Sequence, residues 1–259
     1  NYDATYSRFK TNSLISQLSK TSGLVKVPQQ LVEMLQIYKI LNQITPSVNP
    51  LVGNTLSDLG YDSMYSLKKK QVVRQVPDFS LLQIRSEDQI ELLAQDLLID
   101  VGAVGKGYWI DCVSEIFKKY NLKRYLINAG GDILYINLET SEKLRVGLEY
   151  AGKIIGFTEI YNESLAGSGI HIRNWSTKDN EDLHHVIDAQ NSVPTKNVSA
   201  VWVKHPIATY ADGIATLLFF VKPENINEFL DTESVKYLII EGKNPENIIS
   251  RDFGYTEPD

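Results

Sequence analysis

The sequence predicts an α+β fold, with mixed and largely antiparallel sheets and packed helices. Strand-like segments come in runs, and helical segments fall between those runs instead of alternating with single strands. The 259 residues are 43% hydrophobic, which is enough to bury a stable core without disulfide or metal staples.

Taking the elements in order, Leu31, Met34, Leu35, Tyr38 and Leu41 recur at three- and four-residue spacing. They mark an amphipathic helix that opens near Pro28 and stops before Pro46. Leu81–Arg85, Ile90–Leu93 and Leu97–Val101 read as short strands, followed by a helix from about Ala103 to Tyr120. Strand signals then cluster at Arg124–Asn128, Ile133–Asn137, Leu144–Tyr150, Ile154–Tyr161, His171–Trp175 and Val198–Lys204. A helix from about Thr209 to Phe219, the segment Ile226–Leu230 and a last strand at Tyr237–Ile240 complete the chain. There is no internal repeat and no low-complexity linker, and the length suits one large domain or two small ones.

The 26 basic and 32 acidic residues give a net charge of −6, and no basic block exceeds Lys68–Lys70. That argues against nucleic-acid binding, which needs a concentrated basic footprint, but not against a small anionic ligand. Cys112 is the only cysteine, so no internal disulfide can form, and its apolar helical neighbours make it a candidate small core residue. No apolar run approaches the ~18 residues needed to cross a bilayer. The chain starts at Asn1 and its first methionine is Met34, so a truncated or processed polypeptide, already without any export signal, is expected.

Four segments could carry chemistry. Asp100-Val101-Gly102-Ala103-Val104-Gly105-Lys106-Gly107-Tyr108 lies where a strand gives way to a helix, a place that offers free N–H groups to an anion. It is neither a Walker A loop nor a dinucleotide fingerprint, and the residues alone also suit a plain turn with Lys106 in solvent. Asn128-Ala129-Gly130-Gly131-Asp132 suits a tight hairpin connection. Asp212 and Thr216 in Ala211-Asp212-Gly213-Ile214-Ala215-Thr216 share one helix face, and a carboxylate with a hydroxyl suits a hard cation such as Mg²⁺. The same Asp212 would equally suit ordinary helix N-terminal chemistry. His184-His185-Val186-Ile187-Asp188 offers histidine for acid–base work, or a pair of structural strand histidines with their side chains on opposite faces. No histidine sits in an H-E-x-x-H pattern, which argues against a zinc hydrolase.

The order of these segments resembles the ApbE family of FAD:protein FMN transferases. Tyr6-Ser7-Arg8-Phe9 with Ser13 and Ser16 looks like that family's opening helix, and Ser47-Val48-Asn49-Pro50-Leu51-Val52 like its T-V-G-P-L-V stretch. Asp100–Tyr108 with Asp111 is similar to D-x-G-x-x-x-K-G-Y and the Asp that follows it. Asn128–Asp132 is similar to N-A-G-G-D, Ser168-Gly169 to S-G, His185–Asp188 to H-x-I-D, and Ala211–Thr216 to A-D-x-x-A-T. The resemblance implies a single ApbE-like domain over residues 1–259, with FAD in a central cleft and the family's first strand missing before Asn1. It implies Mg²⁺ on the Ala103 carbonyl, Asp212 and Thr216, and FAD contacts from Phe9, Gln43, Ile44, Thr45, Asp100, Lys106 and Ile187. His185 and Asp212 become the candidate catalytic residues.

The implied reaction cleaves FAD and attaches FMN through a phosphoester to a threonine of an acceptor protein, releasing AMP. The acceptor would carry D-x-x-S/T-G-A-T, a motif this chain lacks. The alternatives are an FAD pyrophosphatase, with water as acceptor, and a non-catalytic FAD-binding protein. The resemblance further implies an extracytoplasmic location, periplasmic or held at the membrane by a lipid anchor absent from this chain. Three departures stand out: Ala189-Gln190-Asn191-Ser192 replaces P-R/K-T-G, Gly167 replaces a threonine before S-G, and Phe9 replaces Tyr or Asn.

Overall fold

The computed structural model describes residues 2–177, 181–226 and 234–258. In chain order the elements are α1 (Tyr2–Tyr6), α2 (Leu14–Leu18), β1 (Gly23–Lys26), α3 (Gln29–Ile44), α4 (Gly53–Asp58), β2 (Leu82–Ser86), β3 (Gln89–Leu92), α5 (Gly105–Lys119), β4 (Arg124–Ala129), β5 (Asp132–Asn137), β6 (Leu144–Tyr150), β7 (Lys153–Ile160) and β8 (Glu163–Gly169). Then come β9 (Asn174–Ser176), β10 (Asp182–His184), β11 (Ile187–Asp188), β12 (Val193–Pro194), β13 (Val198–His205), α6 (Ala208–Leu217), β14 (Lys236–Glu241) and β15 (Ile248–Arg251). The chain forms two compact units, one of residues 1–102 and 173–195, the other of residues 103–172 and 196–259.

In the first unit, α3 is the helix the periodicity predicts. All five stripe residues are buried, and Pro28 and Thr45 flank it. Its buried face lies against the antiparallel sheet β1-β3-β2. The expected strand Leu97–Val101 is not one. The segment has no regular structure and meets a helical turn: Leu98 C=O accepts from Gly53 N–H at 3.2 Å, and Asp100 N–H donates to Pro50 C=O at 2.7 Å. A β-ladder needs an extended partner, and this segment has a helical one.

Residues 59–78 form a long irregular segment held by Asp58. That buried carboxylate accepts from Lys70 Nζ at 2.7 Å and from Arg74 Nε and Nη2 at 2.6 and 2.8 Å. Burial pushes the Asp58 pKa up, but the hydrogen bonds from Arg74 and Lys70 outweigh it and hold the carboxyl well below the usual carboxylate range.

The second unit is built on a six-stranded sheet of order β15-β14-β13-β8-β5-β4, antiparallel throughout. Every residue of β13 is buried, as expected of a central strand covered on both faces. On one face Leu134 and Tyr125 pack with Ile110 of α5 and Ala208 of α6. On the other, Ile133, Leu165, Ala200 and Trp202 pack with Leu148 and Tyr150 of the β6–β7 hairpin.

Other expectations need correcting. Of His171–Trp175 only Asn174 and Trp175 are in a strand, β9; residues 171–173 turn. The strand at the histidine pair, β10, ends at His184, so His185 is outside it. Cys112 is half-buried, not a core residue, because it lies beside the inward face of α5, which carries Ile110 and Ser114. Of Ile226–Leu230, only Ile226 is among the described residues, where it ends a 3₁₀ turn; residues 227–230 lie outside them.

Candidate catalytic and flavin-binding residues

The centre of the second unit is the meeting of α5 and α6. The first N–H groups of a helix have no partner within it. Here Gly107 N–H, in the first turn of α5, donates to Asp212 Oδ2 of α6 at 3.0 Å. In return Asp111 of α5 accepts from Ala208 N–H at 2.9 Å and from Thr209 N–H and Oγ1 at 2.8 and 2.6 Å, at the start of α6. Gly107 permits this approach: a Cβ there would lie 2.2 Å from the Ala208 carbonyl oxygen.

Lys106 is not in open solvent. Its ammonium pairs with Asp132 and lies 3.9 Å from Asp212 Oδ1. Asp132 arrives from the Asn128–Asp132 hairpin, whose two-residue turn has Gly130 and Gly131 at φ +68° and +103°. Both central residues at positive φ make glycine the natural choice. Asp132 Oδ1 also accepts from Gly167 N–H at 3.0 Å. Gly167 stands where a threonine is expected, and a Cβ at that position would lie a tight 3.0 Å from the Trp202 ring.

Asp132 and Asp212 are each 2% exposed, two carboxylates with one ammonium between them. Burial, and then the Asp132 charge, push the Asp212 pKa upward; Lys106 and backbone N–H groups pull the other way. This surplus of buried negative charge fits a hard cation, since Mg²⁺ takes one or two protein carboxylates and completes its shell with water and phosphate. Thr216 follows Asp212 by one turn of α6 and is half-buried, and Ala103 is half-buried in the turn before α5. Asp212 lies beyond the first turn of α6, so it is not a residue of that helix's own N-terminus.

The other predicted residues belong to the first unit. Phe9 stacks on Tyr65, with ring centroids 5.2 Å apart at 15°, and meets Tyr61 edge-on. The Arg8 guanidinium lies 4.2 Å from the Phe9 ring centre and 4.8 Å from that of Tyr61. Arg8 Nε donates to Asp100 Oδ2 at 2.5 Å, while Asp100 Oδ1 accepts from Gly102 N–H at 2.7 Å. Gln43 is exposed, Ile44 half-buried and Thr45 buried at the end of α3. The Ile187 side chain is buried with Leu56, Tyr61, Trp175 and Leu183, against which Phe9 packs.

The two histidines differ. His184 Nε2 lies 2.8 Å from Thr195 C=O and its Nδ1 accepts from Val186 N–H, so both ring nitrogens are engaged. His185 Nδ1 lies 3.4 Å from Arg173 C=O, and its ring centroid is 6.2 Å from that of Tyr61. Burial, with the Arg173 charge second, lowers the His185 pKa to about 4, which keeps the imidazole neutral at pH 7. The divergent Ala189–Ser192 loop is organised by Asp188, which accepts from Gln190 N–H and Asn191 Nδ2. It is tied to Ser47 through Gln190 Nε2.

Arg8 and Asp132 carry more of this geometry than their sequence context reveals. Each belongs to a segment singled out by motif, yet their partners are 92 and 26 residues away in sequence.

The sequence matches the ApbE family over residues 1–239. It is 22% identical over 256 residues to a protein of Buchnera aphidicola subsp. Schizaphis graminum named FAD:protein FMN transferase, covering 92% of this chain and 75% of that one. A Chlamydia pneumoniae protein of the same name is 33% identical over 125 residues, covering 46% of this chain and 38% of the relative. Among solved structures, the ApbE protein of Thermotoga maritima superposes with a TM-score of 0.80 at 18% identity, covering 97% of this chain and 84% of that one. The flavin transferase ApbE of Vibrio cholerae superposes at 0.76 with 17% identity, covering 96% and 84%. These superpositions carry the fold.

Proposed function

Because this chain belongs to the ApbE family, we propose that it is an FAD:protein FMN transferase, joining the FMN half of FAD to a threonine of an acceptor protein. The observation that carries the reading is the pair of buried carboxylates, Asp132 and Asp212, beside the half-exposed Lys106 ammonium at the glycine-rich start of α5. In the reaction the threonine oxygen bonds to the FMN phosphorus. The phosphorus–oxygen bond to the AMP phosphate breaks, and AMP leaves with the electron pair. Lys106 offers its ammonium to the pyrophosphate once it exchanges Asp132 for substrate. The Ala103 carbonyl, Asp212 and Thr216 would hold Mg²⁺, which supplies charge neutralisation at the pyrophosphate when bound. The remaining work is positioning, as expected where phosphoryl transfer needs little covalent help.

Phe9, Gln43, Ile44, Thr45, Asp100 and Ile187 are assigned to FAD binding. We treat residues 1–259 as one functional transferase domain acting outside the cytoplasm, facing an acceptor with D-x-x-S/T-G-A-T. The test is incubation with FAD and Mg²⁺, with and without such an acceptor. Covalently fluorescent acceptor and an equal amount of AMP are expected, and chelation of Mg²⁺ should stop both. Free FMN with an unmodified acceptor would identify a pyrophosphatase, and FAD retained intact would identify a binding protein.

His185 is assigned to take the threonine proton. A neutral imidazole is the useful form, and its lowered pKa keeps it so well below pH 6.5. The part of the acid limb that His185 causes should therefore lie well below pH 6.5, near pH 4, and should disappear in His185→Ala. His185→Ala should lose transfer by roughly 10²–10⁴-fold, the range for a positioned acid–base group, while still binding FAD. If affinity for FAD drops in step with rate, His185 is a binding element instead. His184→Ala is not a clean control, since it releases the Thr195 contact inside the fold.

A further inference from the structure

The second unit contains a pocket of about 190 Å³ that none of these roles uses. That is below the ~300–1,000 Å³ of sites that enclose a whole drug-sized ligand, so it would take a fragment and not an entire FAD. Its walls include Gly130, Gly131, Gly167 and Gly169, with Tyr150 and Trp202 as aromatic surfaces.

Three observations say what kind of fragment. First, β8 has an open edge. β5 pairs with it only at Glu163–Leu165, whereas β13 pairs with it as far as Gly169. Beyond Leu165, on the β5 side, Gly167 N–H is held by the Asp132 carboxylate, and among the described residues no strand pairs with Ser168 and Gly169 there. An open strand edge of this kind is where an extended peptide adds by main-chain hydrogen bonds. Second, Gly169 is not required by the fold. Its φ is not positive, and a Cβ there would meet Ser199 C=O at 3.6 Å and Ala200 Cβ at 3.9 Å, ordinary contacts. A strand glycine without a steric reason leaves room for a ligand or another backbone to approach closely. Third, the edge leads to the chemistry: Asp132, which holds Gly167 N–H, also pairs with Lys106.

We propose that this pocket docks the acceptor protein, taking an extended segment of small residues along Ser168–Gly169 so that the adjoining hydroxyl residue reaches the Lys106 group. The proposal rests on the transferase reading. Bulk at Gly169 should then block the acceptor specifically.

The experiment is steady-state transfer by Gly169→Val, with acceptor protein and FAD varied separately. The KM for acceptor should rise by roughly tenfold or more, the scale of losing one well-packed interface contact, and the KM for FAD should not follow it. Gly169→Ala should give a smaller rise in the same direction, and serves if the valine variant does not fold. A second measurement needs no turnover. Titration of a synthetic Asp-Gly-Ala-Ser-Gly-Ala-Thr peptide should shift the amide resonances of Gly167 and Gly169. Normal transfer with an unchanged acceptor KM in both variants overturns the docking site and leaves the transferase reading standing. So does a peptide that shifts only resonances remote from Gly169. A wild-type protein that transfers nothing to any acceptor overturns both.

Discussion

Asp212→Asn is expected to remove FAD cleavage by about 10²-fold or more, the scale of losing one strong electrostatic stabiliser. The substitution keeps the size of the side chain and removes the charge. Asp212 is almost fully buried and faces a second buried carboxylate, Asp132, across a single ammonium. In a ligand-free protein that arrangement is unfavourable in itself, because a buried charge is costly and its like-charged neighbour adds to the cost. The variant should therefore unfold no more easily than the wild type; the measurement pairs AMP release with a thermal melt in the absence of Mg²⁺. A lower rate with an equal or higher melting temperature identifies a residue kept for chemistry at a cost in stability, the trade-off common at functional sites. Near-wild-type turnover at limiting Mg²⁺ would remove Asp212 from the metal role.

The second large effect is on the fold. Gly107→Ala lies inside α5, where helix propensity alone would favour alanine by about 1 kcal/mol. We expect the opposite sign. The new Cβ would sit 2.2 Å from the Ala208 carbonyl oxygen, and that neighbour is backbone, not a flexible side-chain tip. The helices must move apart, and the move would stretch both the Gly107–Asp212 bond and the Asp111 bonds to Ala208 and Thr209. Destabilisation of about 3 kcal/mol, the upper part of the overpacking range, is expected in denaturant unfolding. A variant as stable as the wild type would mean that the α5–α6 approach is less constrained than the geometry indicates.

Much of the fold was legible because it depends on local periodicity. The α3 stripe and strands β4, β5, β6, β13 and β14 announce themselves through apolar spacing. Strand β8 did not, although it lies in the middle of the large sheet. Its sequence, Glu-Ser-Leu-Ala-Gly-Ser-Gly, has no β-branched or aromatic residue, and its strand character comes from its neighbours β13 and β5. Leu97–Val101 shows the converse: an apolar run that hydrogen-bonds to the Pro50–Gly53 turn and not to a strand. The candidate site divides in the same way. Asp212, Thr216, Lys106 and His185 could be picked out by residue type and order. That Lys106 is engaged by Asp132, and Asp100 by Arg8, depends on contacts across the fold that no local pattern encodes.

The exchange of carboxylates between α5 and α6 bears on how the two motifs could be inherited. Asp111, from the first motif, serves the opening of the second helix, and Asp212, from the second motif, serves the opening of the first. Neither segment is complete on its own terms; each supplies the terminal group that the other lacks. A change that removes the carboxylate from either helix would leave the other helix with an orphaned N-terminus, so the two segments are expected to vary together. The natural unit of exchange is the pair, even though about a hundred residues of chain separate its halves.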